Sequence, residues 1–343
     1  MIELRSDNTA RAAPEVLQAV VDVNTDTAAA YGDDEVTARL QQRVREVFEH
    51  DTARIFPVTS GTAGNAIGLS SIVPPWGAVV CHPTAHIQSN EPGSMALFAG
   101  GAQLSFVDGD RKLIEPDLLD RHLTTFAWND PHNAQLRAIS VTQPTDFGTV
   151  YPLDRLRELT RIGREHGLRA HLDGARFANA LDHLGCTPAD MTWRSGIDVF
   201  TLGMTKNGGM SAELIVSFDD DASDELFFRT KRGGHVTSKM WFLSAQVEAH
   251  LADDLWLRLA GQANRAMARL AGGLREHGVR FVEDPDVNML FLHLPEPAIA
   301  RLEEHVAFYR IAAGLIRFVT SWQTTDADVD AVLDQVGATL AAA

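Results

Sequence analysis

The sequence predicts an α/β fold built on a mostly parallel sheet. Three observations carry this reading. Short apolar runs at 78–81, 104–107, 137–141, 168–172, 197–204 and 213–218 have the length of strands, and helical patterns such as Leu153–His166 separate them. That alternation gives parallel strands covered on both faces by helices. The last 65 or so residues change character: short strands (279–282, 289–294, 315–319) alternate with helices, as in a compact α+β second domain. A length of 343 residues is also long for a single core.

Composition narrows the function classes. Apolar residues make up 45% and charged residues 22%, as in an ordinary globular chain. The net charge of −16 argues against nucleic acid as a partner, because phosphate backbones require basic surface. Cys81 and Cys186 are the only cysteines, which fits a reducing compartment and no disulfide framework. Met1-Ile-Glu-Leu-Arg lacks a basic-then-apolar signal pattern, and no apolar run reaches membrane-spanning length. A cytoplasmic location is expected.

Taken in order, residues 3–9 have no period but gather Ser6, Asp7 and Asn8, which either cap a turn or reach a site. Pro14 starts a helix. Tyr31-Gly-Asp-Asp34 is a turn, and its acids suit the dipole of the helix that follows. Tyr31, one of three tyrosines, is placed to serve a site or a subunit contact. Residues 54–69 read as extended chain, a small-residue turn, then a helix. Ser60-Gly61-Thr62 leaves amides open at that helix start beside two hydroxyls, a phosphate cradle or a plain cap.

His86 and Glu91 lie in a turn after the 78–81 strand. A zinc pair is disfavoured, since no third ligand follows at suitable spacing. His86 reads instead as a stacking platform with acid–base capacity, or as a plain loop histidine. His132 stands in the polar turn before the 137–141 strand, and Thr142–Thr149 is a loop at that strand's C-terminal end, where ligand crevices of α/β sheets lie. The 168–172 strand ends at Asp173, with Arg176 just after. The next delivers Lys206 among small residues. Residues 229–240, with Lys231 and Arg232, read as a basic loop: a solvated charge run or an anion site. Strand then acid, strand then lysine is an order that suits a pyridoxal phosphate enzyme, which needs a lysine for the aldehyde, a carboxylate for the pyridine nitrogen and donors for the phosphate.

Arg5-Ser-Asp-Asn8, Tyr31-Gly-Asp33, Ser60-Gly-Thr62, His86 with Glu91, Gly148-Thr-Val-Tyr-Pro152, His171-Leu-Asp-Gly-Ala-Arg176, Thr205-Lys206 and Leu315-Ile-Arg-Phe-Val-Thr320 occur together and in order. With them the chain resembles the L-threonine aldolase family over nearly its whole length. Three stretches depart from the better-known branch: Thr142-Gln-Pro-Thr-Asp146 replaces Glu-Asn-Thr-His-Asn, the residues after Lys206 and at Ser238–Phe242 differ, and Ser321-Trp322 stands where histidine is common. They look more like the low-specificity or phenylserine aldolase branch.

The resemblance implies pyridoxal phosphate fold type I, with a mostly parallel seven-stranded sheet and a smaller α+β domain: an arm at 1–14, a large domain at 15–245 and a small one at 246–343. It implies that Lys206 bonds the cofactor aldehyde, Asp173 pairs with the pyridine nitrogen, Arg176 lies near the phenolic oxygen, His86 stacks on the ring, and Ser60, Gly61 and Thr62 hold the phosphate. Arg317, with Ser6, is the expected clamp for a substrate carboxylate. His86, directly or through a water held with Glu91, is the first candidate for the base that takes the β-hydroxyl proton. His132, donated by a neighbouring subunit, is the second. Lys231, Arg232 and Tyr31 are expected to complete the site across the interface of a homodimer or homotetramer. No metal is expected. The implied reaction is retro-aldol cleavage of threonine- or phenylserine-type amino acids to glycine and an aldehyde, with β-elimination on the same scaffold as the alternative.

Overall fold

The computed structural model describes residues 1–341. Its main sheet has seven strands: β1 (Arg54–Val58), β2 (Gly77–Cys81), β3 (Gln103–Phe106), β4 (Gln135–Thr142), β5 (Arg169–Gly174), β6 (Val199–Leu202) and β7 (Glu213–Ser217). Their spatial order is β1-β7-β6-β5-β4-β2-β3. Pairings from β6 through β3 are parallel, and only β7 runs antiparallel to its neighbours. The central strands are buried throughout, as expected of strands covered on both faces. Four further strands, β8 (Arg280–Phe281), β9 (Met289–His293), β10 (Tyr309–Ala312) and β11 (Leu315–Val319), form an antiparallel sheet in the order β10-β11-β9-β8.

Ten helices matter here. They are α1 (Pro14–Asp22), α2 (Glu35–Val47), α3 (Gly61–Ser70), α4 (Pro116–Thr124), α5 (Leu153–Glu165), α6 (Phe177–Leu184), α7 (Asp220–Arg232), α8 (Trp241–Leu251), α9 (Leu255–Glu276) and α10 (Asp326–Ala341). Asp34 caps α2 by accepting from the Thr37 amide at 2.7 Å. α3 lies unusually close to the sheet because its inward face is small: a Cβ on Gly64 would sit 2.5 Å from Thr201 Cγ2. This close approach sets the depth at which the next residue, Asn65, meets the sheet.

The sequence placed the change between domains at 245/246. The first core runs further, through Val247 and Leu251 of α8 to Trp256 and Ala260 of α9. The second half of α9, from Ala266 to Leu274, packs with β9, β11 and α10. One long helix thus serves both cores. The stretch 229–240 also differs from expectation. Arg229, Lys231 and Arg232 form the last turn of α7, where basic groups complement the dipole. The tail Ala341–Ala343 was expected to fray; Ala341 ends α10, and residues 342–343 lie outside the described residues. Among the described residues no helix is long and apolar enough to cross a membrane.

Candidate active site

The C-terminal ends of β5 and β6 deliver the two central groups. Asp173 is the fifth residue of β5 and is buried, its Oδ1 accepting from the Ala175 amide at 3.1 Å. Lys206 sits in a single 3-10 turn, Thr205–Asn207, closed by Gly208 at φ +90°. A side chain at Gly208 would strike Leu259 at 2.8 Å and Ala13 at 3.2 Å, so only glycine fits there. The turn is pinned from three helices. Ala13 N–H donates to the Gly208 carbonyl, Asn207 Nδ2 to the Trp256 carbonyl, and the buried His250 Nε2 to the Asn207 carbonyl at 2.6 Å. Burial lowers His250 to about 4, so its ring is neutral.

Lys206 lines a cavity of about 280 Å³ together with Ser60, Gly61, Thr62, Asn65, His86, Glu91 and Glu213. Ser60 caps α3 with its hydroxyl on the Ala63 amide at 3.3 Å, leaving the other first-turn amides directed outward. A Cβ on Gly61 would meet nothing within 4 Å, so space stands open before those amides.

His86 Nδ1 pairs with Glu91 Oε1 at 2.8 Å. Asn65 Nδ2 donates to the same Glu91 oxygen at 2.9 Å and to Asp173 Oδ2 at 3.0 Å. Burial opposes charge on His86, but the Glu91 hydrogen bond and the charges of Asp146 and Asp173 outweigh it and raise its pKa. Burial, with the Asp173 charge, pushes Glu91 upward too, against the hydrogen bonds from His86 and Asn65. His86, Glu91 and Asp173 lie within 4.8 Å of one another, a spacing that suits a metal. The Asn65 N–H groups point into both carboxylates, which sets donors where a cation would need acceptors.

The remaining expected residues are placed as follows. Arg176 is committed to Asp7 through Nε at 2.6 Å and Nη2 at 2.9 Å, so its guanidinium fork is turned toward the N-terminal arm. Ser6 caps the turn Asp7–Thr9 by accepting from the Asn8 amide, and Asn8 rather than Ser6 lines the cavity. Arg317 is not an edge-strand surface residue: β11 lies between β10 and β9. Its Nη2 donates to the Arg5 carbonyl at 3.1 Å, while its buried Nε has no partner. Burial and nearby Arg176 lower its pKa. His132 is exposed and precedes β4, whereas Asp173 is level with the last residue of that eight-residue strand. At ~3.3 Å per residue this puts His132 roughly 25 Å from Asp173, at the opposite end of the sheet. Lys231 lies over the Tyr31 ring at 4.6 Å, and neither these two nor Arg232 lines the cavity. Phe147 stacks on Phe291, and Trp322 packs under α1 and α9.

Four residues were missed. Asn65 sits among small residues and gives no charge or periodic signal. Glu213, at the start of β7, is buried and accepts from the Met204 amide at 2.6 Å, bracing the Lys206 turn; burial raises its pKa. Asp146 brings a buried, unpartnered Oδ2 into the same field, and burial raises it as well. Asn288 donates to Asp7 at 3.1 Å and to the Thr320 carbonyl at 2.8 Å. The Ser-Asp-Asn cluster was the available signal for Asp7; nothing local marked its partners.

A phosphate-bearing aldehyde cofactor fits this cavity on three observations: open space before the α3 amides, a carboxylate set firmly at the floor, and a lysine on a braced turn. Fold and site together define an enzyme of pyridoxal phosphate fold type I. The sequence matches the beta-eliminating lyase family over residues 3–338. It is 37% identical to a low specificity L-threonine aldolase of Pseudomonas aeruginosa, over 94% of this chain and 93% of that one. It is 35% identical to another from Pseudomonas sp. (strain NCIMB 10558), over 99% and 98%. A threonine aldolase structure from Leishmania major superposes with TM-score 0.91 at 26% identity, covering 98% of each chain. Aspartate aminotransferase from Thermotoga maritima shares the fold, with TM-score 0.74 at 14% identity over 99% of this chain and 92% of that one. The chain belongs to the beta-eliminating lyase family.

Proposed function

We propose that this chain is a pyridoxal phosphate-dependent aldehyde-lyase that cleaves L-threonine, L-allo-threonine or L-phenylserine-type β-hydroxy-α-amino acids to glycine and an aldehyde. The observation that carries it is one cavity lined at once by Lys206, the His86–Glu91 pair and the open start of α3. The names of its Pseudomonas relatives support the same reading.

When bound, the cofactor supplies a ring that accepts the electron pair released as the Cα–Cβ bond breaks. Lys206 offers the amine for its aldehyde. Asp173 would pair with the pyridine nitrogen and keep it protonated. Ser60, Gly61 and Thr62 hold the phosphate with amides and hydroxyls. Arg317 clamps the substrate carboxylate with its free Nε, and Ser6 keeps the neighbouring turn in place. His86, with Nδ1 held by Glu91, turns Nε2 toward the β-hydroxyl and removes its proton. In a homodimer or homotetramer, Tyr31, Lys231 and Arg232 reach the site of a neighbouring copy. Their exposure beside Phe227 and Phe228, which are 59% and 71% exposed, supports a covered face there. Two unpaired cysteines fit a cytoplasmic setting.

The test measures glycine and aldehyde from L-threonine, L-allo-threonine and L-phenylserine, with ammonia and keto acid assayed in parallel. Glycine is expected from at least one substrate. Ammonia and keto acid without glycine would instead establish β-elimination.

A further inference from the structure

Two carboxylates, Glu91 and Asp173, face each other in the interior, and a single side chain stands between them. Both amide hydrogens of Asn65 are used there, one on Glu91 Oε1 at 2.9 Å and one on Asp173 Oδ2 at 3.0 Å. Asn65 is 1% exposed, Glu91 1% and Asp173 1%, so water does not screen the pair. The orientation of the amide is fixed by charge: a flip would aim its oxygen at two carboxylates. Its Oδ1 and the second Glu91 oxygen are buried without partners. Asn65 itself does not move freely, because Gly64 beside it lets α3 rest directly on Thr201.

We propose that Asn65 is a positioning residue that couples the charge of Asp173 to the His86–Glu91 pair. The proposal rests on the functional reading above only in assigning the cofactor ring to this place. The coupling itself belongs to the side chains. Glu91 is faced by His86, Asp173 and the Asn65 amide. His86 is faced by Glu91, Asp146, Asp173 and Lys206. Without the amide, Glu91 loses a donor that favours its charged form, while burial and the Asp173 charge still oppose that form, so its proton affinity rises. His86 then loses its counter-charge, although it makes no contact with Asn65 in the hydrogen-bond network described. His86, through Glu91, and Asp173 thus answer to a single amide.

The experiment is a histidine-ring NMR titration of the purified full-length protein, with the His86 signal assigned by its loss in His86→Gln. The wild-type midpoint is expected above the ordinary 6.5. In Asn65→Leu, which has similar volume and no donor, it should fall by about one pH unit. Glu91→Gln should lower it at least as far, and the double variant no further, because both act by one route. An unchanged midpoint in a folded Asn65→Leu protein overturns the proposal. So does an equal additional fall in the Glu91→Gln background. If Asn65→Leu does not fold, Asn65→Ala decides by the same criteria. None of these readouts uses turnover, so a wild-type protein that makes no glycine would sink the aldolase reading while leaving this one to stand or fall on the titration.

Discussion

Asp7 and Arg176, 169 positions apart, form a buried two-pronged ion pair. Burial alone would push the Asp7 carboxyl up, but Arg176 outweighs it and holds the carboxyl below its usual range. Asn288 adds a third contact from the second sheet's side. Removing one partner strands a charge in the interior, so Asp7→Ala should cost about 3–5 kcal/mol of unfolding free energy by denaturant titration. The sign with pH follows. A depressed carboxyl contributes stability above its unfolded value, near 3.8, and loses it as pH falls through the lower folded value. Asp7→Asn should flatten that acid limb.

Arg317 presents a buried Nε without a partner inside a half-buried side chain already anchored on the Arg5 carbonyl. Under the proposed function an amino-acid carboxylate would satisfy it. Arg317→Ala should lower kcat/KM for threonine by roughly tenfold to a hundredfold, the loss of a charge-assisted hydrogen bond, and should move thermal stability little. Steady-state kinetics with unchanged kcat/KM would remove Arg317 from the site.

Gly64 tests the seating of α3. A methyl group there meets Thr201 Cγ2 at 2.5 Å and Oγ1 at 3.0 Å, so the helix or the threonine must shift. Gly64→Ala should destabilise by about 1–3 kcal/mol, as overpacking does, seen as a lowered melting temperature. Thr201→Ser in the same chain removes the struck methyl and should recover part of the loss.

His132 separates the two candidate bases. It lies in an exposed turn at the far end of β4 from Asp173. His132→Ala should leave kcat/KM within about twofold, whereas His86→Ala should reduce it by about a hundredfold or more, the usual weight of a positioned base. A large loss in His132→Ala would show that a neighbouring copy donates this ring.

Much of the large sheet was legible, because most of its strands carry a short apolar run next to a helix with its own period. The smaller strands were harder. Tyr309–Ala312 is exposed along its whole length and shows no alternation, and Ile2–Glu3 is too short for a pattern. The last turn of α7 passed for a basic loop because Arg229, Lys231 and Arg232 hide its one inward residue, Thr230. At the site, Lys206, Asp173, His86 and the Ser60 turn stood out, since each ends a strand or opens a helix. Asn65 did not, because its meaning lies in partners 26 and 108 positions away. Asp7 was visible as part of a polar cluster, but its claim on Arg176 was not.

The N-terminal arm ties itself to chain made much later. Ile2 and Glu3 pair with Val306 and Ala307, the Leu4 carbonyl accepts from Val319, and Arg5 meets Arg317, 312 positions on. During synthesis residues 2–5 therefore wait for these partners until nearly the whole second sheet has left the ribosome, although Asp7 and Ala13 find Arg176 and Gly208 earlier. The last ties of the wall that carries Asp7 and Asn8, to Asn288 and to the second sheet, form after the floor with Asp173 and Lys206 has been made. Competence for ligand binding is then a late event in the life of each new chain, and a translating ribosome carries a half-built site.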